Sequence, residues 1–193
     1  MIAQSERRIA TVKAILDAAR GLFASRGFAE TSVDAIAVEA GVAKGAVYHH
    51  FSSKEEVLDR LVDAIQSEIA VEVRKAARKG KTLADSFARG IYKYLTAAVA
   101  PDAKRILFVD GPAILGWERW RAIDNAHFST LTRGALEARL QERLSEAQAK
   151  AIGHLVAGSL LEAALVCAAA DRPERAARDM TDGLVVMLTP LLA

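Results

Sequence analysis

The sequence predicts an all-α fold, a small three-helix N-terminal domain followed by a larger helical one, on three observations. Alanine fills 39 of the 193 positions against 34 for Val, Ile and Thr together, a balance that favours helix over strand. No proline interrupts the first 100 residues. Apolar residues recur at three- and four-residue spacing through most of the chain, the period of a helix with one buried face.

The first stripe, Ile9, Val12, Leu16, Ala19 and Phe23, marks a helix from about Ser5 to Arg26, and Gly27 ends it. Thr31 with Asp34 three residues on has the form of a capping box before a two-turn helix carrying Val33, Ile36, Ala37 and Ala40, closed by Gly41. A second short helix follows from about Ala43 to His50, with Val47 and Phe51 inward. Ser53 and Glu56 form the next capping box, opening a long helix with the stripe Leu58, Leu61, Val62, Ile65, Ile69 and Val73. That helix ends in Arg74, Lys75, Arg78, Lys79 and Lys81, which read as a solvated terminus complementing the macrodipole. Further helices are expected at Thr82 to Val99, Asp102 to Val109, Trp117 to Leu144, Glu146 to Ala170 and Glu174 to Leu188. Pro101, Pro112 and Pro173 punctuate the gaps between them. The domain boundary falls at residues 1–53 and 54–193.

Composition excludes several classes. The net charge is +2, and the first 60 residues hold 8 Lys and Arg against 8 Asp and Glu, so an anionic partner has to be met by local placement. The single Cys167 rules out an internal disulfide framework and fits a reducing compartment. Charges break the N-terminus where a secretion signal needs an apolar run, so a cytoplasmic protein is expected. Ala151 to Ala170 imitates a membrane span, but its Ala and Gly content and Glu162 favour a buried helix of a bundle, with no membrane partner. His49 and His50 face differently, His127 and His154 stand alone, and no catalytic motif occurs. No enzyme, cofactor or metal is expected.

Two short helices joined by a glycine turn and held on a longer preceding helix make a helix-turn-helix. Ala37 is small where the helices cross, Gly41 takes the turn, and Ile36, Val42 and Val47 weld the pair. With Val47 and Phe51 inward, helical geometry turns Lys44, Gly45, Tyr48 and His49 outward, a face that fits a major groove.

The segment Thr31 to Asp63, TSVDAIAVEAGVAKGAVYHHFSSKEEVLDRLVD, resembles the DNA-binding part of the tetracycline-repressor (TetR) family of bacterial transcription regulators. The marks are the Thr before the first short helix, the Ala and Gly of the turn, the run Tyr48, His49, His50, Phe51, and Lys54 opening the next helix. The resemblance implies that Thr31, Tyr48, His50 and Lys54 touch the phosphate backbone, with His49 in a slot often used likewise, and that Lys44 and Gly45 lie near base edges. It further implies a larger domain that holds a small-molecule cavity and dimerises through its last two long helices. Phe87, Ile91, Phe108, Trp117, Trp120 and Phe128 are the candidate ligand residues, with Asp110 and His127 as polar handles; such apolar residues more often fill a core, and such polar ones more often lie on the surface. Gly153, Ala157, Leu161, Ala164 and Ala168, followed by Leu184, Met187, Leu188 and Leu191, are the candidate dimer stripe. The expectation is a homodimeric repressor of double-stranded operator DNA, released by a largely apolar effector through the helix that starts at Lys54. The alternatives are the same regulator without an effector and, behind it, a helical protein-interaction module.

Overall fold

The computed structural model describes residues 2–128, 135–141 and 143–192. They divide into two compact units, Met1–Ile65 with Pro101–Trp120, and Gln66–Ala100 with Arg121–Ala193. The first half of the long helix and residues 101–120 therefore group with the helix-turn-helix, where the expected boundary after Ser53 left them to the second domain.

In the first unit, α1 (Ile2–Arg26) packs on α2 (Val33–Glu39), which packs on α3 (Lys44–His50), and the start of α4 (Lys54–Ala77) completes the core. The buried face of α1 is Ile15, Ala19, Leu22 and Phe23. Ile9, expected on that stripe, is 66% exposed, because the stripe turns about the helix and Ile15 is its true centre. Val57, Leu58, Leu61, Val62 and Ile65 of α4 are buried with Ile36, Val47 and Phe51.

Residues 101–120 bring the largest departure from expectation. In place of a helix ending at Val109 and a break at Pro112, a π-helical turn at Ile106–Asp110 runs straight into α6 (Gly111–Leu115). The wide turn, in which the Gly111 N–H bonds the Ile106 carbonyl, admits Pro112 in the first turn of α6, where its missing N–H costs little. The Leu107 carbonyl instead accepts a 2.7 Å hydrogen bond from the buried indole N–H of Trp120. Gly111 is required there, since a Cβ would stand 2.7 Å from the Ile106 oxygen and 3.1 Å from the Trp120 ring.

The second unit is a bundle in which α10 (Pro173–Leu192) packs on α5 (Leu83–Ala98), α8 (Ala135–Leu140) and α9 (Glu146–Ala169), and α9 packs on α5 and α8. Of the helix expected from Trp117 to Leu144, the structure describes α7 (Trp117–Phe128) and α8, and residues 129–134 lie outside those described. Ser145 opens α9 with a full capping box to Gln148, and Thr82 caps α5 at the Asp85 N–H. α9 is long and apolar enough to cross a bilayer, yet Ala149, Val156, Leu160, Ala164 and Cys167 are buried within the bundle. Burial pushes the Cys167 thiol up, which leaves it a small inert hydrophobe.

Candidate functional site

The turn of the helix-turn-helix is built by Gly41, whose φ of +67° belongs to the left-handed region, with the Val42 N–H bonding the Ala37 carbonyl at 3.0 Å. Val47 is buried beneath it, and Lys44, Gly45, Tyr48 and His49 are exposed on the outer face of α3. Tyr48 is half exposed, and a Cβ on Gly45 would meet nothing within 4 Å, so that side of α3 is open to a close neighbour. The Lys44 ammonium lies 2.9 Å from the Asp34 carboxylate, a bond that raises the lysine above its ordinary range and ties α3 to α2. His50 is half-buried with its ring edge-on to His49; burial first, then the charges of His49 and Arg8, holds it below the usual histidine range.

Thr31 and Lys54 are placed differently from the resemblance. Thr31 is buried and its hydroxyl donates to the Gly27 carbonyl at 2.8 Å, while the neighbouring Ser32 is exposed and accepts the Ala35 N–H as the true cap of α2. Lys54 donates to the carbonyls of Phe28 and Thr31 at 2.8 and 2.9 Å and stands 4.1 Å above the Phe28 ring. It is a strut between the start of α4 and the loop after α1. Glu56 accepts from the Ser52 N–H and hydroxyl, while its own N–H bonds Ser53, so the expected box closes one residue early.

That loop is anchored a second time. Asp110, expected as a handle for a ligand, accepts the Phe28 N–H at 3.1 Å, and Arg105 lies 3.5 Å from the same carboxylate with its guanidinium over Gly27. Gly27 has φ +88°, a left-handed conformation that side chains rarely adopt, and the Arg105 guanidinium occupies the space a Cβ would take.

The second unit holds a cavity of about 280 Å³ walled by α4, α5, α7 and α9. Of the aromatic candidates, Phe87 and Phe128 line it with Ile91, while Phe108, Trp117 and Trp120 belong to the first unit, Trp120 in its core and Trp117 on its surface. Sequence spacing missed Val73, Ala77, Gly90, Tyr94, Asp124, Asn125 and Leu160. On α5, Phe87 and Ile91 share the wall with Gly90 and Tyr94. Tyr94 meets Phe128 edge to face at 4.9 Å. Burial raises the Asp124 carboxyl while Arg121, 3.1 Å away, and His127 pull it down; the Gln66 amide donates to it at 3.4 Å. Burial and Asp124 push the Tyr94 phenol far up, so it is a neutral hydroxyl.

Most of the stripe expected to meet a second copy faces inward. Gly153, Leu161, Ala164, Ala168, Leu184 and Leu188 are buried inside the chain, and Ala157 lines the cavity. Met187 of that stripe is exposed, and so are Leu155, Leu165 and Val166 on the opposite face of α9 and Val186 on α10. Among the described residues no cluster of three His, Cys, Asp or Glu could hold a metal.

Comparisons with known proteins agree with this geometry. Residues 15–61 match the model of bacterial regulatory proteins of the tetR family, and residues 84–191 match the tetracyclin repressor-like C-terminal domain. The chain is 26% identical over 159 residues to the transposon Tn10 TetC protein of Escherichia coli, 82% of this chain and 78% of that protein. It is 38% identical over 66 residues to the HTH-type transcriptional repressor KstR2 of Rhodococcus jostii, a match spanning 34% of this chain and 32% of that protein. A TetR-family transcriptional regulator from Pectobacterium atrosepticum superposes with a TM-score of 0.79 at 25% identity, over 97% of each chain. A helix-turn-helix with an open recognition face, a helical second unit, and family matches over both place the chain in the TetR family of DNA-binding transcriptional regulators.

Proposed function

We propose that this regulator is a homodimeric repressor that binds operator DNA through α3 and leaves it when a small molecule fills the cavity of the second unit. One observation carries the reading: α4 is a continuous helix whose first residue, Lys54, clamps the helix-turn-helix loop and whose Val73, Arg74 and Ala77 wall the cavity. A ligand that prefers one position of the α4 end shifts the population of the whole helix, including its DNA-side end.

In this reading Lys44 and Gly45 lie at base edges, and Tyr48, His49 and His50 with the exposed Ser32 meet phosphates. Lys44 exchanges Asp34 for a base acceptor as it docks. The contribution of Thr31 and Lys54 is to hold α2 and α4 in place; Lys54 keeps one N–H for a phosphate. The dimer forms through the outer faces of α9 and α10, where Leu155, Val166, Val186 and Met187 leave an apolar surface that a second copy covers. KstR2, matched over a third of this chain, is itself named a repressor.

Selection of DNA from a random pool by the purified protein tests the reading. The expected product is an inverted repeat whose half-sites lie about 34 Å or a multiple apart. A selected pool with no recurring sequence, or a single half-site, overturns it.

A further inference from the structure

We propose that the cavity takes an amphipathic anion, an apolar chain of medium length ending in a carboxylate or similar acidic head, with Arg74 and Arg78 as the head-group site. The proposal rests on the reading of this cavity as the effector site and names the chemistry of the effector.

The cavity has two unlike ends. Along α5 it runs from Leu83 and Ser86 to Tyr94, and from Arg78 back along α4 to Val73, since Gly90 of α5 sits against Val73 and Ala77. The wall between is apolar, with Val73, Ile91, Phe128 and Leu160, and the other polar groups on it are Asp124, which lies near Tyr94, Asn125 and the Tyr94 hydroxyl. The one carboxylate on the wall, Asp124, is already answered by Arg121 and Gln66. At the other end two guanidiniums four residues apart, the half-buried Arg74 in the last turn of α4 and the exposed Arg78 just past its end, share the wall with the Ser86 hydroxyl. Among the described residues no hydrogen bond or ion pair engages either side chain, and the nearest acidic residue on α4, Glu72, is held by Lys75 and Lys93. Like charges at this spacing repel each other, and a bound anion relieves that repulsion while accepting from both forks. Eight residues of α5 separate Ser86 from Tyr94, roughly 12 Å of helix, which suits a chain of roughly eight carbons. A cation would meet two positive charges and find its only carboxylate taken; a neutral chain would fill the apolar part and leave the arginines as they are.

The test is calorimetric titration of the full-length protein with octanoate, 1-octanol and octylamine, repeated on the double variant R74Q/R78Q and on Ala77→Phe, which fills the cavity. Octanoate is expected to bind at least about tenfold more tightly than octanol, with octylamine weakest. In R74Q/R78Q that preference should fall to about twofold or less while octanol affinity holds, and Ala77→Phe should block both. Equal binding of octanoate and octanol by the wild type, or a preference that survives R74Q/R78Q, overturns the anion assignment and leaves the cavity as an effector site. No binding of any head group, in chains of roughly six to twelve carbons, overturns the effector site along with it.

Discussion

Two carbonyl oxygens and an aromatic face hold the Lys54 ammonium, so its charge serves the fold before it serves any phosphate. Lys54→Ala should therefore lower stability by about 1–3 kcal/mol in denaturant unfolding, with DNA affinity falling as the loop loosens. Tyr48→Ala, on the open face, should leave stability unchanged and weaken operator and scrambled DNA alike, whereas Lys44→Ala should cost about 1–3 kcal/mol at one base position. A Lys54 variant as stable as the wild type would return that residue to the surface. His50 gives a pH dependence of defined sign. Its folded-state value lies below that of the unfolded chain, so its contribution to stability is present above about pH 6.5 and is lost as pH falls through the folded value. The unfolding midpoint should drop on acidification, and less so in His50→Gln. The outward face of α3 was legible from the sequence because Val47 and Phe51 fix its inner side. The exchange of roles between Thr31 and Ser32 was not, since two adjacent hydroxyls are chemically equivalent until the backbone decides which one reaches the Ala35 N–H.

At the scale of elements, α1 and α2, which run into Gly27 and Gly41, and α5 and α9, which begin at side-chain caps, were readable, and the element built on an exception was not. Pro112 reads as a break because proline breaks regular helices. Here a π turn widens the helix just before it, and the Trp120 indole, eight residues on, gives the Leu107 carbonyl the hydrogen bond that Pro112 cannot. No local pattern announces a partner at that distance. Trp120→Phe keeps most of the ring volume and deletes only the N–H, leaving the Leu107 carbonyl unpaired in the core, so unfolding free energy should fall by about 1–3 kcal/mol. The same segment carries Asp110 to the Phe28 N–H, next to the Lys54 clamp. Loosening it should therefore weaken DNA binding too, although neither residue faces DNA. A Trp120→Phe protein with wild-type stability would show that the indole bond contributes packing alone.

At the scale of the whole molecule, most of the stripe that the sequence offered for dimerisation is buried within the chain itself. α9 is apolar on every side, so small residues at Gly153, Ala157, Leu161, Ala164 and Ala168 announce a close helix approach without saying whose helix approaches. The chain's own α5, α8 and α10 pack on α9, and the exposed residues Leu155, Leu165 and Val166 of α9 with Val186 and Met187 of α10 are the surface proposed above for a second copy. The two faces make opposite forecasts for one substitution. Leu155→Arg or Val186→Arg places a charge that a single chain leaves in water, so circular dichroism should stay that of the wild type. In the dimer the same charge is buried unpaired, a cost of about 3–5 kcal/mol that raises the dimer dissociation constant at least about a hundredfold. Sedimentation should then show folded monomers, and operator binding should fall with the loss of the second half-site. Ala164→Arg sets the charge inside the bundle and should unfold the second unit outright. Folded, monomeric Ala164→Arg beside dimeric Leu155→Arg would reverse the assignment and put the small stripe at the interface.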